Sequence, residues 1–291
     1  MRAILILCAW LGIALAWHYE LPPVKVSEGV VCFFGKNEIP TPSNGGAICN
    51  SCYIDEGNHW IVFDPGPTAL FAKEAYAKVV GDKPVKIVLN SHGHDDHTLG
   101  NAFFTKSTII GAEGIEAFME PRLLKRLNKE QLQGSFLKIP DLLLSKKAKI
   151  ASKKRIELYV VEAHTKADLI AYMPEQKILF AGDVIFTERL PSILDGNLQK
   201  WIAVLEWIKK LHPRIIIPGH GKKYGPMAYA MTLNYLKDLK AKVAKALEDG
   251  VEYDEVTKVV DMSRYKNLAL YKELNNLNIL AAYQQLEMEI E

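Results

Sequence analysis

Short apolar or β-branched runs, several alternating with polar positions, recur at residues 29–34, 47–54, 60–63, 85–89, 108–110, 156–161, 169–173, 178–180 and 215–217. A period of two, or an apolar run too short for a helix, predicts strands at each of them. Apolar spacings of three and four predict helices at 68–80, 114–131 and 198–211. Helices interleaved with strands make the layout mixed α/β rather than a pure β sandwich. From Met227 onward the pattern is helical alone. Leu236, Leu239, Val243 and Leu247 form a stripe that stops at Gly250, a natural C-terminal cap, and Ile279, Tyr283, Leu286 and Ile290 form a second stripe. Such stripes are packing faces, so this tail is expected to dock on the core or to shape one wall of an active-site cleft. No internal repeat or low-complexity linker interrupts the chain. It therefore reads as one catalytic unit, 24–225, with a helical extension, 226–291, packed on it.

The first residues differ in kind. Residues 3–17 are uninterruptedly apolar after Arg2, and Ala14-Leu15-Ala16 has the small-x-small pattern of a cleavage site. This predicts a signal peptide at 1–16 and an exported protein, periplasmic or extracellular. The run is shorter than the ~20 residues a spanning helix needs, and the chain turns polar at once with His18, Glu20, Pro22 and Pro23. An uncleaved anchor is the alternative. Cys8 does not make the segment a lipoprotein signal, because Leu7 precedes it where a small residue is expected, and no later stretch is long enough to cross a membrane.

Export would place Cys32, Cys49 and Cys52 in an oxidising compartment. Cys49 and Cys52 form a C-x-x-C inside a predicted strand, where three residues span about 10 Å and the two side chains face opposite ways. That exceeds disulfide reach. A bridge from Cys32 to one of them across the hairpin is easier, and three buried thiols are an equally good reading.

The charges nearly cancel, with 36 Lys and Arg against 34 Asp and Glu, and neither sign gathers into long blocks. The surface field should be weak, which argues against a dedicated nucleic-acid binder. Lys146-Lys147 and Lys153-Lys154-Arg155 read as solvated loop and strand-edge charges.

The strand at 85–89 runs straight into Asn90-Ser91-His92-Gly93-His94-Asp95-Asp96-His97. Clustered imidazoles and carboxylates burden a core and gain nothing by gathering in water. Metal binding explains them, since neutral imidazole and carboxylate are the usual ligands of zinc, at about 2.0–2.2 Å. His92 and His94 can turn the same way, because Gly93 lets the backbone bend between them. Three further strands end alike: 156–161 in Glu162-Ala163-His164, 178–180 in Ala181-Gly182-Asp183, and 215–217 in Pro218-Gly219-His220. Ligand-type residues just past the carboxyl ends of separate strands can converge on one rim. His18, His59 and His212 have no such company. Trp201, Leu205 and Ile208 make a core-facing helix stripe, not a ligand box.

Taken in order, Phe63-Asp64-Pro65-Gly66, the His92–His97 run, His164, Asp183 and His220 resemble the five signature motifs of the metallo-β-lactamase superfamily. The likeness covers about residues 29–225. It implies a four-layer αββα sandwich, here with the C-terminal helical extension, and a dinuclear centre at one edge. Position by position, His92, His94 and His164 match the ligands of a first metal, Asp96, His97 and His220 those of a second, and Asp183 the bridge. Asp64 matches a carboxylate that orients a ligand histidine, although it could merely stabilise the Pro65-Gly66 turn. Asp at 183, where true class-one β-lactamases carry Cys, is more similar to the glyoxalase II-like branch. The segment 34–46 and the end of the tail resemble, less specifically, an exported branch labelled quinoprotein relay system or sulfur-oxidation-associated metallohydrolase.

The resemblance implies an exported hydrolase with two zinc ions, iron or manganese being possible substitutes. Two such ions share a water and lower its pKa to about 7, giving a metal-bound hydroxide at neutral pH. Asp96 is the expected catalytic residue, keeping one oxygen free to hold the nucleophile or pass a proton. The substrate would be a small ester, thioester, lactone or lactam, or phosphoester, with specificity set by loops 37–45 and 113–145 and by the tail. Two other classes compete. Persulfide dioxygenases share the fold and use one iron at the positions of His92, His164 and Asp183. A non-catalytic, metal-stabilised binding module is disfavoured by the intact set of seven ligands. Flavodiiron relatives carry Glu where His94 stands, and a nuclease fits neither the export signal nor the balanced charge.

Overall fold

The computed structural model describes residues 17–79 and 83–288, so the predicted signal peptide and its cleavage site, Val80 and Ile290 lie outside the described residues. An antiparallel meander opens the fold: β1 (Val24–Ser27), β2 (Val30–Phe33), β3 (Ser51–Asp55) and β4 (Trp60–Phe63). Helix α1 (Ala69–Val79) then leads to β5 (Val85–Leu89). The short helix α2 (Asp95–Thr98) follows, and then β6 (Thr108–Ala112) and β7 (Leu142–Leu144), with β4 to β7 parallel. The second sheet comprises β8 (Ala148–Ile150), β9 (Ile156–Val161), β10 (Asp168–Met173), β11 (Ile178–Phe180) and β12 (Ile215–Ile217), in the order β12-β11-β10-β9-β8. Helix α3 (Leu198–Leu211) joins its last two strands. The helices α4 (Tyr229–Glu248), α5 (Val256–Val259) and α6 (Tyr271–Glu287) close the described chain.

Period-two burial explains the layers. Leu169, Ala171 and Met173 of β10 point inward with Leu158 and Phe180, meeting Cys32, Ile54, Ile61, Phe63 and Leu89 of the first sheet. The alternate residues point out. Ile170, Leu179 and Ile216 pack under Trp201, Leu205 and Ile208 of α3, Leu236, Leu239 and Val243 of α4, and Ile279 and Tyr283 of α6. On the other side Tyr53, Val62 and Val88 pack under Phe71, Ala72 and Ala75 of α1. The result is the expected αββα stack with C-terminal helices. The first tail stripe ends as read: Gly250 takes φ +73°, and the amide of Val251 bonds back to the Ala246 carbonyl. Among the described residues no helix is long and apolar enough to cross a membrane.

The sequence reading misses strands β1, β7 and β8, and two of the elements it predicts take another form. The helix expected at 114–131 is two single 3-10 turns, Ile115–Phe118 and Arg122–Lys125. Pro121 lies between them, and a proline there blocks a continuous helix although the apolar Ile115, Leu123 and Leu127 are buried. The strand expected from Ala47 begins only at Ser51. Residues 44–48 turn instead, around Gly45 and Gly46 at φ +59° and +73°. The amide of Asn50 is then captured by the Gly219 carbonyl at 2.8 Å. Cys32 and Cys52 are register partners across β2 and β3 and form a disulfide, while Cys49 is a buried free thiol.

Candidate metal centre

Four strands of two sheets end at one rim. Past β5, Asn90 and Asn101 bond reciprocally at 3.0 and 2.8 Å and turn the chain into the His92–His97 run. His164 follows β9, Asp183 sits in a 3-10 turn after β11, and His220 follows β12. All seven expected residues meet. His164 Nε2 is 3.2 Å from His94 Nδ1, and His97 Nε2 is 3.3 Å from His220 Nε2. Asp183 lies between the two groups. Its Oδ2 is 3.8 Å from His92 Nε2, 3.5 Å from His164 Nε2 and 3.2 Å from His220 Nε2, and its Oδ1 is 3.3 Å from His97 Nε2. Asp96 Oδ2 stands 3.4 Å from His97 Nε2 and 3.5 Å from His220 Nε2. The donors thus form one group of His92, His94, His164 and Asp183, another of His97, Asp183 and His220, and a third of Cys49, Asp96 and His97 that shares His97 with the second.

What fixes the inward nitrogens is the acceptor behind each ring. His97 Nδ1 donates to Asp64 Oδ2 at 2.9 Å, and His94 Nε2 to Asp195 Oδ2 at 3.1 Å. His164 Nδ1 donates to the Ser192 carbonyl at 3.1 Å, and His220 Nδ1 to the Ile48 carbonyl at 2.8 Å. Ser91 Oγ gives its proton to Asp64 Oδ2 at 2.7 Å and so accepts from His92 Nδ1 at 2.9 Å. Each ring therefore directs a bare lone pair into the same space. Buried lone pairs 3.2–3.3 Å apart repel unless a cation lies between them. His92 Nε2 and Asp183 Oδ1, both buried, lack any hydrogen-bond donor. A donor set of imidazole nitrogen and carboxylate oxygen fits zinc, and suits iron or manganese as well.

The electrostatics divide the rings: against burial, the Asp195 bond raises His94, and Asp183 and Asp96 hold His97 well above its ordinary value, a positive charge that a cation in the same space would replace. Burial pushes His164 down to about 3 and holds His92 well below its ordinary value, so both are neutral at physiological pH. Burial would raise the Asp183 carboxyl, yet His220, His97 and His92 around it hold it well below the usual range. A permanently ionised carboxylate between two imidazole groups is suited to bridging cations.

Several participants carry no sequence signal. Asp195 and Ser192 come from the loop after Arg189, and Ile48 acts only through its carbonyl. Cys49 Sγ lies 2.9 Å from the Asp96 carbonyl, under the second group. Arg189, 7% exposed, lines the cleft, with its Nε lacking an acceptor and a terminal nitrogen 3.1 Å from His220 Nδ1. Since that ring nitrogen already donates to Ile48, the guanidinium faces it without a hydrogen bond of its own. The cleft over the cluster is otherwise walled by Ile48, Phe118, Arg122, Arg126, Phe186 and Leu194. The remaining histidines lie elsewhere: His18 beside Glu74, His59 beside Asn58, and His212 ending α3 at φ +47°.

A sequence profile of the Metallo-beta-lactamase superfamily matches residues 44–220. A metallo-beta-lactamase type 2 of Pseudomonas aeruginosa is 29% identical over 141 residues, which are 48% of this chain and 53% of the relative. Another, of Bacillus sp. (strain 170), is 24% identical over 163 residues, 53% of this chain and 59% of the relative. The chain thus spans little more than half the length of these curated relatives. Among solved structures, a metallo-beta-lactamase from Pontibacter korlensis matches with TM-score 0.60 at 19% identity, over 75% of this chain and 99% of its own. A stereoselective inverting sec-alkylsulfatase from Pseudomonas sp. matches with TM-score 0.69 at 16% identity, over 91% of this chain and 50% of its own. At such identities the likeness is one of fold.

Proposed function

This chain belongs to the metallo-β-lactamase superfamily, and from that premise we propose that it is a hydrolase with a dinuclear zinc centre. His92, His94 and His164 would hold one ion, Asp96, His97 and His220 the other, and Asp183 would bridge them. The observation that carries this is the set of five imidazoles whose outer nitrogens are each tied to an acceptor while the inner ones converge. When bound, the two ions supply Lewis acidity toward a carbonyl or phosphoryl oxygen and acidify a water.

The protein's own groups do the rest. Asp96, 9% exposed at the cleft floor, presents Oδ2 to His97 and His220, and among the described residues no hydrogen bond engages its Oδ1. That oxygen can hold the attacking water and carry its proton to the leaving group. Phe118, Phe186 and Leu194 around the cleft shield the reacting bond from bulk water. Substrates of this reading are small esters, thioesters, lactones or lactams, and phosphoesters. Residues 24–225 would form the catalytic unit and 226–291 its extension. Export to the periplasm or outside the cell is supported by the Cys32–Cys52 disulfide, since such bonds persist in oxidising compartments.

The test is metal analysis of protein made in medium replete with iron and zinc, followed by a screen of thioesters, lactones, β-lactams and phosphodiesters. Two equivalents of zinc and a chelator-sensitive hydrolysis are expected. One equivalent of iron, with oxygen uptake on a persulfide, would replace this reading by a dioxygenase.

A further inference from the structure

The segment 188–198 supplies the acceptors behind two ligands of one ion only. Its Ser192 carbonyl takes the outer proton of His164, and its Asp195 carboxylate takes that of His94. The rings of the other group lean instead on Asp64 and on the Ile48 carbonyl, both in the loops of the first sheet. The two positions share Asp64, which also reaches His92 through Ser91, but the support from 188–198 belongs to the first position alone.

Helix α6 grips that segment on both sides of each acceptor. Asn278, fully buried, accepts from the Ile193 amide at 3.2 Å and donates to the Pro191 carbonyl and to Tyr235 Oη of α4, both at 2.8 Å. Gln285, two turns on, accepts from the Leu198 amide at 2.8 Å and donates to the Gly196 carbonyl at 3.1 Å. Ser192 is thus bracketed by Asn278, and Asp195 lies between the two clamps. The turn before α6 adds backbone bonds, Leu190 to Ala269 at 2.9 Å and Ala269 to Glu188 at 3.0 Å. A helix serving only to cover the core has no need of an amide in its apolar stripe, next to Ile279 and one turn from Ala282. Burying it costs free energy unless its hydrogen bonds are all made.

We propose that Asn278 and Gln285 are positioning residues through which the C-terminal helix sets the metal affinity of the His92, His94 and His164 position and leaves the other position independent. This rests on the two-ion reading above, and coupling of this kind is reciprocal. An ion at that position should tighten the docking of α6, and loosening α6 should weaken the ion. Losing an outer partner of a metal-binding histidine typically costs 10- to 100-fold in affinity.

The experiment measures zinc affinity by competition with a chromogenic chelator in two backgrounds that each retain one position, His220→Ala and His164→Ala. Asn278→Leu is introduced into each, with Gln285→Met as a milder second variant should the first fail to fold. At least a tenfold loss is expected in the His220→Ala background and less than threefold in the His164→Ala background. Hydrogen exchange of the full chain should show slower exchange across 188–198 and α6 on zinc loading in the His220→Ala background only. Equal losses in both backgrounds, or none in either from a folded variant, would overturn the proposal. Neither readout uses turnover, so a chain that binds zinc in this pattern and hydrolyses nothing would defeat the hydrolase reading and leave this one standing.

Discussion

His97 Nδ1 lies 2.9 Å from Asp64 Oδ2, and the same carboxylate takes the Ser91 amide at 2.7 Å on its other oxygen. Asp64 stands at the end of β4 with φ +54°, fully buried, and through Ser91 Oγ it also steadies His92. One carboxylate therefore orients a ring in each donor group, which is more than stabilising the Pro65-Gly66 turn. Asp64→Asn is expected to place an amide N–H against one of these donors. Zinc affinity should fall about 10- to 100-fold, and stability by about 1–3 kcal/mol. Chelator competition and a urea melt check both, and an unchanged affinity would reduce Asp64 to a turn former.

Asp96→Asn separates proton transfer from fold. The side chain keeps its shape and one ligating oxygen but loses its basicity. A fall in kcat of about 10²- to 10⁴-fold at saturating zinc is expected, the range for a positioned acid or base. Steady-state kinetics on whichever ester or lactam the wild type cleaves provide the measurement. A variant within threefold of wild-type kcat would remove Asp96 from the chemistry.

The Cys32–Cys52 bridge closes a loop of 20 residues that contains the 44–48 turn and Asn50, whose amide group bonds the Pro218 and Gly221 carbonyls at 2.8 Å on either side of His220. Cross-linking a loop of that size stabilises by about 3 kcal/mol through the unfolded chain. The double substitution Cys32→Ala with Cys52→Ala should therefore lower unfolding free energy by about 2–4 kcal/mol in a denaturant titration. In the folded wild type, Cys49 should resist thiol reagents, because it is buried and burial pushes its thiol well up.

Much of this centre could be read from the chain because ligands at the carboxyl ends of strands leave a signature: an apolar run that empties into His or Asp. The His92–His97 run, His164, Asp183 and His220 all follow it. Their supports do not. Ser192 and Ile48 act through carbonyls that any residue would supply, and Asp195, Asn278 and Gln285 work at separations set only by the fold. The sequence leaves open a bridge from Cys32 to Cys49 or Cys52 and equally three buried thiols, and the choice turns on the glycine-led turn that removes Cys49 from β3. Strands β7 and β8 escaped notice because they are short edges, half exposed and so without a clear apolar alternation. The 114–131 segment has helical spacing on either side of Pro121, and spacing alone does not register the missing N–H.

Away from the centre, Glu157 of β9 accepts from Lys147 at 2.8 Å and also from Tyr159 and Arg155. The Lys147 bond first, then Tyr159, pull its carboxyl down to about 2 from an ordinary 4.5. A depressed carboxyl contributes stability that is complete above the unfolded value and lost as pH falls through the folded one. The cluster should therefore stabilise fully above about pH 4.5 and not at all below about pH 2. Lys147 and Arg155 are 47% and 51% exposed, so screening limits the effect to about 1 kcal/mol. Glu157→Gln should flatten that part of the acid-unfolding curve. A wild-type slope retained in the variant would assign it to other carboxylates.

Gly219 tests whether the approach of two strand ends sets the bridge. Its amide bonds the Gly182 carbonyl at 2.7 Å and the Ile185 carbonyl at 3.0 Å, which presses the β12 exit against the turn that carries Asp183. A Cβ at 219 would fall 2.1 Å from Asp183 Oδ1, 2.5 Å from the Gly182 carbonyl carbon and 2.7 Å from the Asp183 amide nitrogen. Two of these three atoms are backbone, so the side chain cannot simply swing aside. Gly219→Ala should cost about 1–3 kcal/mol, as overpacking does, and displace the carboxylate that faces both donor groups, lowering bound zinc from two equivalents to one or none. Gly250→Ala is the control. It forces a positive φ, +73°, on alanine, a strain that Gly219→Ala does not carry, and a Cβ there meets nothing within 4 Å. It should cost about 1 kcal/mol and leave zinc content unchanged. Metal stoichiometry beside a thermal melt separates the cases: two equivalents of zinc in Gly219→Ala would mean that Asp183 can bridge from elsewhere, and the geometry argued for it would fail.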